Sequence, residues 1–470
     1  MLNLRPYQLE LIDRLRATIA AGTRRVLLTL PTGAGKTCLM AHMLSSAAQK
    51  QKRAWFCVHR RELVDQSVQT FIEAAAIDTG IVAAGYYATP RAPVQVCSVA
   101  SLRPRAPTLQ APDLIVFDEA HHIASNSWSA VAALFPRAVH IGLTATAQRL
   151  DGRGLRAHFD ELICGPSTAD LIAQGYLSPY TLYAPPGAVN LSKVHRVAGD
   201  YDKQEVADAM DATTVVGDAV SHYRQHCPDA RALVFAWSLD ASRRIAQQFL
   251  AAGIPAQHVD GETPRVERTQ AMRDFRAGTT RVLCNVDLFG EGLDVPAVDA
   301  VFLLRPTQSL GLYLQQVGRG LRPTKGKASV KIFDHVANWS RHGLPDDPRE
   351  WTLDGREKGS RASSEAMGRR CDECFAVSPI GCKACRYCGK VFPVQDREIE
   401  EVEGTLHETD IEAIRRERAK WKAQIQYCAT EKDFRRVGEA LGYHRGWAWH
   451  MMFEKMERER AQQQENSEVA

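Results

Sequence analysis

The chain has 470 residues, 45% hydrophobic and 24% charged, with 59 Lys and Arg against 55 Asp and Glu for a formal net charge of +4. That size and balance mark a soluble protein able to bury sizeable cores in two or three domains. No stretch is apolar enough to span a bilayer, the start "MLNLRPYQLELIDRL" offers no signal-peptide core, and +4 is compatible with nucleic acid without arguing for it.

Short apolar runs alternate with helix-like segments in two series, the pattern of a parallel sheet wrapped by helices. The first series holds "RVLLTL" (25–30), "AWFCV" (54–58), "DLIVF" (113–117) and "HIGLT" (140–144), with amphipathic stretches at 37–49 and 61–75 between them. The second holds "RALVFAW" (231–237), "AQHVD" (256–260), "RVLCNV" (281–286), "AVFLL" (300–304) and "SVKIF" (329–333). An α/β class with two tandem domains follows, at 1–165 and 231–345, with a linker and domain-edge elements at 166–230. After about 340 the composition turns to Pro, Gly, Ser and charge, setting off a cysteine-bearing region at 346–400 and a charged, helical tail at 401–470. Its last residues, "AQQQENSEVA", have the composition of disorder. No repeat of solenoid length is visible.

The first chemical signal is "LPTGAGKT" (30–37), placed directly after a buried strand and opening a helix. Gly33 and Gly35 let the backbone curl its N–H groups around a phosphate, Lys36 reaches the β and γ phosphates, and Thr37 can hold Mg²⁺. Leu30 breaks the common G-x-x-x-x-G-K-[ST] pattern at its first position. Cys38 takes the third-glycine place of the dinucleotide fingerprint, which removes nicotinamide chemistry. The second signal, "LIVFDEAHH", sets Asp118 and Glu119 just past another buried strand, at the ligand edge of a doubly wound sheet. Asp118 there can hold Mg²⁺ while Glu119 orients and deprotonates the attacking water.

In this order the motifs resemble the superfamily-two helicases and translocases of the DEAH-box kind, from about residue 4 to residue 335. The resemblance implies two RecA-like P-loop NTPase domains, ATP with Mg²⁺ in the cleft between them, and hydrolysis coupled to moving along or unwinding nucleic acid, DNA being favoured over RNA. "RPYQ" (5–8) is similar to the adenine-contacting segment, with Gln8 as reader of the base, and "PTGAGKT" is that family's own phosphate loop. "VHRREL" (58–63) and "VCSVASL" (96–102) resemble segments that grip the nucleic-acid backbone, and "LTATAQR" (143–149) the segment coupling hydrolysis to strand movement. "NVDLFGEGLDVP" (285–296) resembles the motif that brings Gly292 and Asp294 to the ribose. "QQVGRGLRP" (315–323) makes Gln315 a γ-phosphate contact and Arg319 and Arg322 arginine-finger candidates. His121 is the DEAH histidine; His122 stays unassigned. Ala147 stands where many relatives carry Pro, and Gln316 where many carry Arg or His. Two other readings remain open: a motor subunit of a restriction-type complex, although no nuclease or methyltransferase motif is present, and an ATP-switched nucleic-acid clamp, against which Glu119, Arg319 and Arg322 argue.

"CDECFAVSPIGCKACRYCG" (371–389) packs five cysteines into one window. The spacing C-x2-C-x10-C-x2-C of Cys371, Cys374, Cys385 and Cys388 suits tetrahedral Zn²⁺, with Gly389 allowing a tight knuckle, whereas a redox C-x-x-C needs a thioredoxin-like βαβ context. Cys382 is left as a spare thiol that could substitute. The other seven cysteines lie far apart, where thiols act as small hydrophobes, and the expected home is the cytosol. A zinc ribbon here would bind nucleic acid, bind a protein partner, or stabilise a segment too small to fold alone. Arg369, Arg370, Lys383, Arg386 and Lys390 suit the first use. In the tail, Phe434, Tyr443, Trp447 and Trp449 interleave with Arg and Lys, which fits either base stacking or a helical core, and the tail is similar to those of phage helicases of this group.

Overall fold

The computed structural model describes residues 4–59, 62–87, 89, 91–123, 126–149, 152–184, 191, 194–197, 200–211, 215–288, 298–324, 326–354, 368–379, 381–392, 411–441, 448, 451–452 and 455. The strand expected at 281–286 runs Val282–Asn285; Gly292 and Asp294, in the motif that follows it, lie outside the described residues, as do Tyr443, Trp447, Trp449 and the last residues of the tail.

Near-continuous apolar runs form strands buried on both faces, and the helices between them allow only parallel pairing. The first sheet takes β1 (Arg25–Thr29), β2 (Ala54–Val58), β3 (Thr79–Val82), β4 (Val94–Ser98), β5 (Leu114–Phe117), β6 (Val139–Thr144) and β7 (Glu161–Cys164) in the order β3-β4-β2-β5-β6-β1-β7, all parallel. The second begins with β8 (Tyr180–Tyr183). A small antiparallel pair follows, β9 (Arg196–Val197) with β10 (Asp200–Tyr201), and then β11 (Ala232–Phe235), β12 (Ala256–Val259), β13 (Val282–Asn285), β14 (Ala300–Leu303) and β15 (Val330–Asp334). Its order is β12-β13-β11-β14-β15-β8, again all parallel. Both expected series are present. The expected series do not include β3, β4, β7 or β8, short runs that mix polar with apolar residues, so that neither a continuous apolar run nor a period separates them from loops.

A short antiparallel pair, β16 (Gly368–Arg370) with β17 (Val377–Pro379), carries the cysteine window. Residues 394–470 form a compact unit of their own. In it the helices Ile411–Gln424 and Glu431–Leu441 enclose a core of Cys428, Phe434, Val437, Leu441 and Ala448, so Phe434 is a packing residue. No described helix is long and apolar enough to cross a membrane.

Candidate active site

The phosphate loop joins β1 to the helix Lys36–Gln49. Gly33 and Gly35 have φ of +88° and +79°, where an L side chain is strained. Space forbids one at Gly35 as well, since a Cβ would lie 2.7 Å from Gln8 Nε2. Gln8 Nε2 donates to the carbonyls of Ala34 (3.3 Å) and Gly35 (3.2 Å), the Tyr7 hydroxyl donates to Ala34 O at 2.7 Å, and Gln8 Oε1 accepts from the Arg5 N–H at 2.9 Å. The first helix therefore braces the loop, and the Gln8 amide is engaged with it.

Lys36 donates to Leu30 O at 3.2 Å. Burial lowers its pKa, the charges of Glu119 and Asp118 oppose that, and those of Arg319 and Arg322 reinforce it. One ammonium thus feels both carboxylates of the first domain and both arginines of the second. Asp118 follows β5, its N–H donating to Cys57 O at 3.0 Å, and its carboxyl is pushed up to about 6 by burial and then by the neighbouring Glu119, against the pull of Lys36 and His59. Glu119 is buried at φ +48°, a left-handed position that costs a residue with a Cβ about 1–2 kcal/mol and points to a constrained turn. Thr37, second in its helix, and Asp118 offer hydroxyl and carboxylate oxygens, the hard ligands Mg²⁺ takes, so the residues fit that ion.

Glu119 is wired to two other motifs. His121 Nδ1 lies 3.5 Å from Glu119 Oε2 and 3.2 Å from Thr144 Oγ1, and Thr144 in turn donates to Thr146 O at 2.9 Å, inside "LTATAQR". The unassigned His122 has a place too: its ring sits 4.2 Å from that of His121 and 4.9 Å from that of His59, in "VHRREL". A row of three imidazoles links the two segments.

The opposite wall is the helix Leu310–Gly320, started by Ser309 Oγ accepting from the Leu312 N–H at 3.2 Å. Gln315 Nε2 donates to Glu119 Oε2 at 3.4 Å, and Arg319 is only 3% exposed. Buried Thr32 Oγ1, Gln315 Oε1 and Gln316 Oε1 have no protein partner among the described residues, the signature of polar atoms reserved for a ligand. The sequence gives roles to Gln315, Arg319 and Arg322, and leaves Gly318, a fixed position of the same motif, without one. A Cβ on Gly318 would come 2.4 Å from Thr32 Cβ, so glycine there is what lets the helix close on the phosphate loop. Gly318→Ala is expected to leave the melting temperature unchanged or higher, because Ala favours helix, while lowering ATP turnover at least about tenfold by holding the walls apart. Steady-state ATPase rates beside thermal melts check this.

Comparison with known proteins agrees with this geometry. The family described as "Type III restriction enzyme, res subunit" matches residues 1–149, and "Helicase conserved C-terminal domain" matches residues 216–324. The chain is 34% identical over 406 residues to the 51.5 kDa protein of Lactococcus phage (isolate 7-9), covering 86% of this chain and 84% of that one. It is 31% identical over 370 residues to a Schizosaccharomyces pombe protein provisionally named mitochondrial ATP-dependent helicase irc3, covering 74% of this chain and 59% of that one. Against the DNA 3'-5' translocase XPB2 of Sulfurisphaera tokodaii the identity is 25% over 373 residues, covering 70% and 81%. The chain belongs to the superfamily-two helicases. It is an ATP-hydrolysing enzyme of that family, with ATP and Mg²⁺ as its implied reactant and ion.

Neither family match reaches the cysteine window of this helicase. There the Sγ atoms of Cys371, Cys374, Cys385 and Cys388 all lie within 4.8 Å of one another, with 3.5 Å between Cys371 and Cys388 and 3.6 Å between Cys374 and Cys385. Tetrahedral zinc at a Zn–S distance of about 2.3 Å needs sulfur pairs roughly 3.8 Å apart, so the donor set fits the metal. Burial raises the Cys385 thiol, but the backbone N–H groups of Cys388 and Tyr387 and the Cys374 side chain outweigh it and bring the pKa down to about 7. Cys382 is outside this set of four. The ribbon also lies along the free edge of β8: Tyr183 bridges Ala376, the Ala184 N–H donates to Phe375 O at 3.0 Å, and the Tyr387 hydroxyl donates to Tyr180 O at 3.3 Å.

Proposed function

We propose that this helicase hydrolyses ATP between RecA-like domains at 1–165 and 231–345 to move along or unwind DNA in the cytoplasm. One observation carries the reading: Gln315, from the helix of the second domain, reaches Glu119 of the first at 3.4 Å, beside a Lys36 that feels the charges of Arg319 and Arg322. Gly33, Gly35, Lys36 and Thr37 hold the phosphates; Gln8, its amide bonded to the phosphate loop, would turn to the base, and Gly292 and Asp294, outside the described residues, are assigned to the ribose by the resemblance alone. Glu119 takes the proton of the attacking water, Gln315 contacts the γ-phosphate, and Arg319 and Arg322 neutralise the charge that develops on it. Mg²⁺ held through Thr37 and Asp118 would shield the phosphate oxygens. Because the groups sit on two domains, the site is complete only when the cleft is closed.

The preference for DNA is supported by the likeness to a relative named as a DNA translocase. ATPase rates with single-stranded, duplex and forked DNA and with RNA test it, followed by strand displacement on the best activator. Stimulation by DNA well above RNA is the expected result; stimulation by RNA alone would overturn the DNA assignment. The restriction-subunit match over residues 1–149 favours one second reading, a motor subunit of a restriction-type complex. It would show as duplex-stimulated ATPase without strand displacement. Cys371, Cys374, Cys385 and Cys388 would hold Zn²⁺ in a ribbon spanning the region 346–400, and a protein partner at that ribbon or at the tail 401–470 completes the proposal.

A further inference from the structure

Beyond β15 the chain crosses between the two domains once more. The helix Asn338–His342 and the turn after it are fastened to the second domain: the Tyr313 hydroxyl, on the helix that carries Arg319, donates to Gly343 O at 3.2 Å, and Leu344 is buried. The Arg349 guanidinium donates to the carbonyls of Pro345 (3.1 Å), Asp347 (2.9 Å), His342 (3.2 Å) and Leu344 (2.6 Å), which fixes the turn.

Four residues later the chain is inside the first domain. Leu353 is buried with Leu155, Phe159 and Ala147 of that domain's core. Its carbonyl accepts from the N–H groups of Leu155 (2.7 Å) and Arg156 (3.0 Å), and Asp354 receives two bonds from the Arg156 guanidinium at 2.8 and 2.9 Å. Gly154 makes the room: a Cβ there would lie 2.1 Å from Leu353 O. The receiving loop follows "LTATAQR" directly, and Arg149 and Arg153 are joined by a backbone bond of 2.9 Å.

We propose that residues 349–354 are a positioning strap, which ties the helix bearing Gln315 and Arg319 to the loop after "LTATAQR" and sets how far the cleft opens. This rests on the helicase reading, in which the cleft must open and close in each ATP cycle. Four residues span at most about 14 Å when fully extended, so Arg349 and Leu353 cannot part further while both stay seated. Another crossing, between β7 and β8, passes beside the strap: Cys164–Thr168 line the same cavity of about 130 Å³ as Pro345, Arg349 and Trp351, with Thr32 and Gly318 on its other walls. Two short crossings at one cavity make a hinge, so the domains rotate about it and do not separate freely. The strap thereby biases the open–closed equilibrium toward the arrangement in which Arg319 faces the phosphate loop, without altering the closed site itself.

The test is single-molecule energy transfer in the full chain between dyes on azidophenylalanine placed at Leu134 of the first domain and Val266 of the second, both exposed. The nucleotide-free parent is expected to show one narrow distribution. Gly154→Ala, which unseats Leu353 O, is expected to raise the open population about tenfold, and Arg156→Glu, which repels Asp354, about threefold. Arg156→Asp combined with Asp354→Arg is expected to restore the parent distribution, an outcome a general loss of packing would not give. In the loosened variants the KM for ATP rises while kcat at saturating ATP stays within twofold or so, as expected for a pre-closure equilibrium. Parent-like distributions in both loosened variants, with circular dichroism showing them folded, would overturn the strap. Because energy transfer needs no hydrolysis, that failure is distinct from a failure of the helicase reading, which ATPase assays report.

Discussion

Glu119→Gln is expected to bind ATP about as tightly as the parent and to hydrolyse it roughly 10²–10⁴-fold more slowly, the range for losing a positioned general base. The substitution keeps the size of the side chain and a polar atom facing Gln315, which approaches Glu119 Oε2 at 3.4 Å. What it removes is the proton acceptor, in a turn where φ of +48° fixes the direction of the side chain. Lys36→Ala acts differently. Lys36 is the first of the cations that act on Asp118 and itself feels Glu119, and without it the site loses a positive charge beside both carboxylates, so ATP binding falls together with turnover. The measurement is kcat and KM for ATP alongside the affinity of a fluorescent ATP analogue. Glu119→Gln should change kcat alone, and Lys36→Ala both constants; turnover within threefold of the parent in either variant would remove the catalytic assignment.

The two variants also show which parts of the site were legible in the sequence. Lys36, Asp118 and Glu119 stand at the carboxyl ends of β1 and β5, and a strand buried on both faces announces itself as an apolar run, so the sequence marks both the strand and the ligand edge where it stops. Gly318 is different. Its importance lies in the 2.4 Å that separates a hypothetical Cβ from Thr32, almost the whole motor away along the chain, and no local pattern encodes that distance. The same holds for His122, whose contacts with His59 and His121 bring residues of two strand ends together. It holds most of all for 349–354, where the sequence shows only a shift toward Pro and charge. Leu353 reads as an isolated apolar residue until the first domain's core closes around it. β8 was illegible for a related reason: it precedes β11 in the chain yet joins the far edge of the second sheet beside β15, a placement set by topology and not by its own four residues.

That edge decides what removing the metal should do. β8 pairs with β15 on one side only, and its other side is covered by the ribbon through Tyr183, Ala184 and Tyr180. The Tyr183 ring also stacks on Phe333 at 5.1 Å, and Phe333 on Phe302 at 4.5 Å, so an aromatic ladder runs from the ribbon into the middle of the second sheet. A window of two strands of three residues each has too little apolar surface to fold alone, and apparent zinc binding in such sites is worth about 10–16 kcal/mol, most of which is folding energy. Cys385→Ser, or chelation of the parent, is therefore expected to unfold 368–392 and expose β8 as an unpaired edge, which invites aggregation. Zinc analysis should give about one equivalent in the parent and in Cys382→Ser and none in Cys385→Ser, in keeping with the four-thiolate set. Limited proteolysis separates the ribbon's possible roles. If the ribbon only read nucleic acid, metal loss would weaken DNA binding and leave cleavage near Tyr180–Tyr183 unchanged. If it seals the sheet, cleavage there appears with the loss of zinc even in the absence of DNA, and the melting temperature of the motor falls with it. One equivalent of zinc retained by Cys385→Ser would rule out the four-thiolate assignment and transfer the ligand role to Cys382.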